Sequence, residues 1–293
     1  VSHPYNHFVN DYVRLLDETR DVPLGGLPPA AAPRLLDNAP RALVFAPHPD
    51  DESIIGGLPL RLRRELSFRV SAVAVTQGSR VDRQAARLDE MREACHFLGF
   101  ELIATRPHGL TGINPRSREQ DPSAWEDSVA LIAQIISYHR ASVIFLPHDQ
   151  DHHSTHIGAH LLVLDALRTL GPAFRCKLVE TEFWRAMADP NLMIESSPDD
   201  VADLVAATSF HQGEVARNPY HLFLPAWMAD NVRRGSELVG GQGAASPGFR
   251  FATLYRLREW ANGGFTTCLK APRLVPAGPG LAEIFKREIV PAS

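Results

Sequence analysis

Between Arg41 and Gly171 the sequence alternates short apolar runs with longer amphipathic ones, and this alternation restricts the fold more than any other feature. The runs ALVFA (42–46), RVSAVAVT (69–76), ELIAT (101–105) and ASVIFLP (141–147) read as strands. ESIIGGLPLRLRREL (52–66), DRQAARLDEMREACHFLG (82–99), SAWEDSVALIAQIISYHR (123–140) and STHIGAHLLVLDALRTLG (154–171) read as helices. Ser123 is the expected N-cap of the third, and glycines close the second and fourth. Strand–helix repeats of this kind predict an α/β fold with a mostly parallel sheet and helices on both faces. Ligands in such folds gather beyond the carboxyl ends of the strands. Two polar clusters, PHPDDE (47–52) and PHDQDHHSTH (147–156), directly follow predicted strands. The topology therefore places them on one rim despite their separation in the chain.

Outside this segment the pattern loosens. CKLVETEFW (176–184) reads as a further strand, DDVADLVAATSFHQGEVARN (199–218) as a helix and GSELVGGQGAASPG (235–248) as a flexible loop. Residues 1–40, with a short helix around FVNDYVRLLDE and a linker GGLPPAAAPR, are expected to form an arm packing on a single domain, 41–293. A formal net charge of −4 over 293 residues offers no basic face for nucleic acid. Apolar runs fall short of the roughly 20 residues that cross a bilayer. The opening residues lack the basic-then-apolar order of an export signal, which makes a cytoplasmic location the expectation. Cys95, Cys176 and Cys268, odd in number and widely spaced, fit reduced thiols. Glycine-rich dinucleotide and phosphate loops, the G-x-S-x-G elbow and the H-E-x-x-H helix are not found in the sequence.

Five of the 13 histidines fall between 148 and 160. In HPDDE, adjacent carboxylates beside an imidazole repel one another unless a cation or a proton is shared among them. His48 and Asp51, spaced H-x-x-D on a turn stiffened by Pro49, suit zinc, which takes three protein ligands and leaves a position for water in catalytic sites. The second cluster offers His148, His152, His153, His156 and His160 for the third. Asp50 diverges from Asp51 in the turn and can sit over the water as a base. Glu52, at a helix start, has a structural role near the positive dipole end. For a lone histidine the plain alternative is a hydrogen-bonded loop residue; two such clusters at neighbouring strand ends favour the metal.

APHPDDESIIGG (46–57), VTQGSR (75–80), RLDEMREACHFLG (87–99) and HSTHIGAHLLVLDAL (153–167) resemble the signature segments of the LmbE/PIG-L family of metal-dependent N-deacetylases, with SFHQGEVARNPY (209–220) a weaker match. The resemblance spans roughly 41–220. It implies a Rossmann-like sheet and a zinc site, with iron(II) as an alternative, held by His48, Asp51 and His156. It further implies Asp50 as general base and His153, as a cation, stabilising the oxyanion. The substrate implied is a small N-acetylglucosamine-type sugar or glycoconjugate that loses its acetyl group. Arg80 and Arg87 are candidates for holding that substrate, against the plainer reading of a solvated helix face; Arg87 also matches the family position. The sequence departs from the family pattern at Ser154-Thr155, where the family has Pro-Asp, so Asp149 or Asp151 must take over the aspartate's support. A register with His152 as ligand stays open at this point. Phe183, Trp184 and Tyr220 could stack on a sugar, with core packing their ordinary role. An amidase acting on another acyl amide or a natural-product glycoside, or a non-catalytic metal-containing carbohydrate binder, are the alternatives. The intact Asp50 argues against the last, because holding an ion does not require it.

Overall fold

The computed structural model describes residues 3–285. In chain order the elements are α1 (Tyr5–Thr19), β1 (Arg41–Ala46), α2 (Asp51–Ile54), α3 (Gly57–Glu65), β2 (Arg69–Ala74), α4 (Val81–Leu98), β3 (Glu101–Ala104), α5 (Pro115–Gln120), α6 (Pro122–His139), β4 (Val143–Pro147) and α7 (Ser154–Thr169). They continue with β5 (Cys176–Thr181), β6 (Leu192–Ser196), α8 (Pro198–Ser209), α9 (Gln212–Val215), a 3-10 turn (Tyr220–Phe223) and α10 (Leu224–Leu238). The last are β7 (Phe251–Ala261), β8 (Gly264–Thr266), β9 (Arg273–Val275) and, after a second 3-10 turn, α11 (Ala282–Phe285). The sheet order is β3-β2-β1-β4-β5-β7-β6-β9, with β8 on β7. Strands β3, β2, β1, β4 and β5 pair in parallel, as the strand–helix repeats require. Side chains alternate across the pleat: Ala42, Val44 and Ala46 join one buried core, while Leu43 and Phe45 join the other. Burial of side chains the size of Val44, Leu43 and Phe45 stabilises the fold by about 1.5–3 kcal/mol each, which holds both helix layers against the sheet.

The structure corrects several boundaries. The helix expected over 52–66 is two helices, because Gly56 turns through φ 89°, and a Cβ there would lie 2.1 Å from Thr253 Oγ1. Asp121, not Ser123, caps α6: its side chain accepts from the Ala124 N–H, and Pro122 takes the first helical position. The strand expected over 176–184 stops at Thr181, and the helix expected over 199–218 breaks at His211 into α8 and α9. The segment expected to be a loop at 235–248 begins inside α10. Ordered chain from Gly25 to Ala39 lies against the domain, with Gly25 N–H donating to Ser209 Oγ and Ala30 N–H to the Phe97 carbonyl. Helix α1 itself buries no residue.

Strand β7 is the main element that the sequence pattern concealed. It runs antiparallel between β5 and β6 and carries charge into the interior. Glu180 on β5 is fully buried and accepts from Arg256 and Arg258 of β7, at 2.7 Å in each case. Arg256 also donates to Asp149 and Asp189, which fastens the loop after β4 to the sheet. Breaking a buried pair strands the surviving charge. Glu180→Ala is expected to lower unfolding stability by about 3 kcal/mol in chemical denaturation; a change below about 1 kcal/mol would mean that water already solvates the cluster.

Candidate metal centre and active site

Strand β1 ends at Ala46, and the next four residues fold into a tight loop that leads into α2 at the rim of the sheet. Asp50 adopts φ 113°, a left-handed conformation seldom used by a residue with a side chain. Two contacts hold it there: Asp50 N–H donates to Glu52 Oε2 at 3.0 Å, and Ser53 Oγ donates to the Asp50 carbonyl at 2.9 Å. Glu52 is itself buried, and its other oxygen lies 2.7 Å from Nε2 of the fully buried His211. Burial alone would keep His211 neutral, but the Glu52 carboxylate beside it overcomes that and raises its pKa. Glu52 and His211 thus form a buried, hydrogen-bonded brace beneath the loop rather than part of its exposed surface.

The second cluster arrives from the end of β4. His153 is the N-cap of α7, with Nδ1 accepting from the Thr155 N–H at 3.2 Å. One turn on, His156 is fully buried. Ring nitrogens of His48, His153 and His156 lie within 4.8 Å of one another, a group able to hold a metal ion. Asp51 completes a tighter set: Asp51 Oδ2 stands 3.4 Å from His48 Nδ1 and 3.4 Å from His156 Nε2, and those nitrogens are 3.3 Å apart. Burial would raise the Asp51 pKa, but the His156 and His48 imidazoles hold it below the usual carboxylate value. For His156 burial prevails and the pKa is lowered, leaving a neutral ring with a free lone pair.

Of the remaining histidines, His152 is exposed and outside the group. His148 is buried with Nε2 2.9 Å from the Arg185 carbonyl, and His160 Nδ1 lies 2.9 Å from the Pro147 carbonyl. Asp151 rather than Asp149 supports the cluster. It is buried, accepts from the His153 N–H at 2.9 Å and the Trp184 N–H at 3.2 Å, and lies 3.8 Å from His156 Nδ1. Asp149 is engaged with Arg256.

Asp50 faces a cavity of about 710 Å³ whose lining includes His48, Asp51, Arg87, His153, Thr155 and Tyr220. Burial, then repulsion from Asp51, pushes the Asp50 carboxyl up to about 7. Tyr220 O–H donates to Asp50 Oδ2 at 2.5 Å, and Arg87 stands 3.7 Å from the same oxygen while donating to the Pro49 carbonyl at 2.8 Å. Arg80 departs from expectation. It is exposed and tied to Asp82, and it does not line the cavity, because as the N-terminal flank of α4 it turns outward. Glycine is required where the loop after β3 passes the chain just beyond the end of β2: Gly109 has φ 69°, and a Cβ would lie 2.8 Å from Gln77 N. The contribution of Tyr220 was the part hardest to read in the sequence; its only signal is the weak family-like segment 209–220.

Comparison with known proteins agrees with this architecture. Residues 43–167 match the family model described as PIG-L: GlcNAc-PI de-N-acetylase. No curated protein matches the chain. Among solved structures, N,N'-diacetylchitobiose deacetylase from Pyrococcus horikoshii superposes with a TM-score of 0.54 at 17% identity, covering 87% of this chain and 93% of its own. A deacetylase of teicoplanin biosynthesis gives 0.54 at 16% identity, covering 73% and 97%. GalB, a 4-carboxy-2-hydroxymuconate hydratase from Pseudomonas putida, gives 0.53 at 15% identity, covering 74% and 95%. At these identities the likeness is one of fold. The family match is confined to residues 43–167, the segment holding both polar clusters, and over that segment the chain is similar to the PIG-L (LmbE-like) family.

Proposed function

We propose that the protein is a metal-dependent deacetylase that hydrolyses the acetamide of an N-acetylglucosamine-type sugar or glycoconjugate, with His48, Asp51 and His156 holding the metal. One observation carries this reading. Ligand atoms about 2.0–2.1 Å from a tetrahedral ion stand about 3.3–3.4 Å apart, and the three separations among His48 Nδ1, Asp51 Oδ2 and His156 Nε2 are 3.3, 3.4 and 3.4 Å. Two imidazoles and one carboxylate suit zinc, and iron(II) equally by ligand type. Since a hydratase shares the fold, the reaction is argued from the site and not from the architecture. The family match over residues 43–167 supports the same chemistry.

A divalent metal there would lower the proton affinity of a water and polarise the amide carbonyl. The chain's own residues supply the rest. Asp50, aimed into the cavity and steadied by Tyr220, accepts the proton of the attacking water and returns it to the departing amine nitrogen. His153 accepts from Thr155 at Nδ1, which leaves its hydrogen on Nε2, so the ring donates to the developing oxyanion as a neutral group. Burial and the neighbouring imidazoles of His48 and His156 lower its pKa, which favours this neutral donor over the cation that the resemblance implies. Arg87, with a side chain only 14% exposed, borders both Asp50 and the cavity and is placed to meet a substrate hydroxyl.

The direct test is acetate release from a methyl glycoside of N-acetylglucosamine. Turnover should disappear on chelation and return with zinc or iron(II). Turnover that persists in fully metal-free protein would overturn the reading.

A further inference from the structure

Helix α1 carries an apolar face that its own domain leaves uncovered. Tyr5, Phe8, Val9, Tyr12, Val13 and Leu15 are between 41% and 73% exposed, and α1 buries no residue. Positions 5, 8, 12 and 15 recur at spacings of three and four, which at 3.6 residues per turn puts them in one stripe. The charged residues Asp11, Arg14, Asp17 and Glu18 take the opposite side. A helix of 15 residues gains most of its stability from packing such a stripe against something. The chain leaving α1 is fastened to the domain, with Gln212 Nε2 donating to the Leu24 carbonyl and Gly25 N–H to Ser209 Oγ. The helix is therefore presented from a fixed base.

Its charges say what covers it. The first turn has no acidic residue and no side-chain cap at Pro4, so its positive dipole end is unmet. Asp17 and Glu18 stand in the last turn, where the dipole is already negative and no basic residue offsets them. Two copies laid antiparallel correct both ends, because the acidic end of each then lies beside the positive end of the other. Aromatic side chains bury about 150–250 Å² each, so three of them with the neighbouring aliphatics approach the roughly 800 Å² per partner of a stable interface. An anionic membrane surface fits poorly. Helices that lie on one carry Lys and Arg on the polar face, whereas here Arg14 stands against three acids and is paired with Asp11.

We propose that α1 is a self-association surface, pairing antiparallel with α1 of a second copy of this chain through Tyr5, Phe8, Tyr12 and Leu15. Tyr12 is near the middle of the helix, so the two-fold axis of the pair passes close to it. The pairing is independent of the deacetylase chemistry.

Sedimentation equilibrium of the whole protein tests it. Between about 1 and 100 µM, where an interface at the small end of the usual sizes assembles, the molar mass should climb from that of one chain towards twice that value. Phe8→Asp combined with Tyr12→Asp should weaken association on the order of 100-fold or more. Because both side chains are exposed, the domain should keep its thermal unfolding. Asn10→Asp, an acidic change on the polar side, should leave the pair intact. Orientation is read from nitroxide labels at Asn6→Cys and, in a second sample, Asn10→Cys, both in a Cys268→Ser protein whose other cysteines are buried. An antiparallel pair separates the Asn6 labels of the two copies further than the Asn10 labels, since position 6 is further from the axis; a parallel pair makes the two separations equal. A single-chain mass throughout, a pair that survives the double substitution, loss of the pair in Asn10→Asp, or equal label separations overturns the inference. Flotation of the wild type but not the double variant with phosphatidylcholine or phosphatidylserine vesicles would assign the stripe to a membrane and overturn it as well.

Discussion

Replacing Asp50 with asparagine is expected to cut turnover by roughly 10²–10⁴-fold while the metal content stays that of the wild type. Asparagine keeps the shape of the side chain and can still meet Tyr220, but it cannot take a proton. The loop geometry should survive, because Asp50 is held at φ 113° by its backbone N–H on Glu52 and its carbonyl on Ser53, neither of which involves the carboxylate. Two measurements decide the matter: steady-state acetate release and metal analysis of the same sample. Near-normal turnover would remove Asp50 as the base, and loss of metal would make it a ligand. In the wild type a base must be ionised to act, so kcat/KM should rise with pH through the Asp50 pKa. Burial and Asp51 set that pKa to about 7 without an ion, and a bound dication would draw it lower. The acid limb of the profile should vanish in the asparagine variant.

His156→Ala should lower metal affinity by more than about 100-fold, since losing even an outer partner of a ligand typically costs 10–100-fold. The side chain is fully buried, and its Nε2 is one corner of the triangle with His48 and Asp51. His152→Ala should leave the metal in place, because that residue is exposed and outside the group. Metal content of the two variants after identical dialysis checks both. Loss from the His152 variant alone would overturn the ligand assignment. Structural collapse is the competing cause for His156→Ala, and His156→Gln, which retains a polar side chain of similar reach, distinguishes it. If the glutamine variant is folded and metal-poor, the loss belongs to the site.

Much of the fold could be read in advance because its information is local. Each strand from β1 to β4 carries an apolar run short enough to be unambiguous beside a helix of clear period, and the handedness of such repeats then brings both polar clusters to one rim. HPDDE and HSTH were likewise legible, since their residue types and spacing already limit the chemistry. Legibility failed where partners come from far along the chain. Gly56 breaks a helix at φ 89°, at a place where Thr253, nearly two hundred residues away, leaves no room for a side chain, and β7 looks polar until Glu180 is seen facing its arginines. Arg80, at the N-terminal flank of α4, and Arg87, within it, share a charge and a neighbourhood in the chain, yet the first turns to Asp82 and the second toward Asp50. No local pattern separates them.

By itself the sequence determined the alternating architecture, the two polar segments and the kinds of side chain available to an ion, because propensity, periodicity and side-chain chemistry act over a few residues. The tertiary structure alone decided that His156 and not His152 meets His48 and Asp51, that Asp151 stands behind them, and that Tyr220 and other aromatic side chains from residues 183–227 complete the cavity. Separations of 3.3–3.4 Å among donors on different elements follow from how sheet, helices and loops pack together. That packing is a sum over contacts distant in sequence, which no short stretch of residues contains.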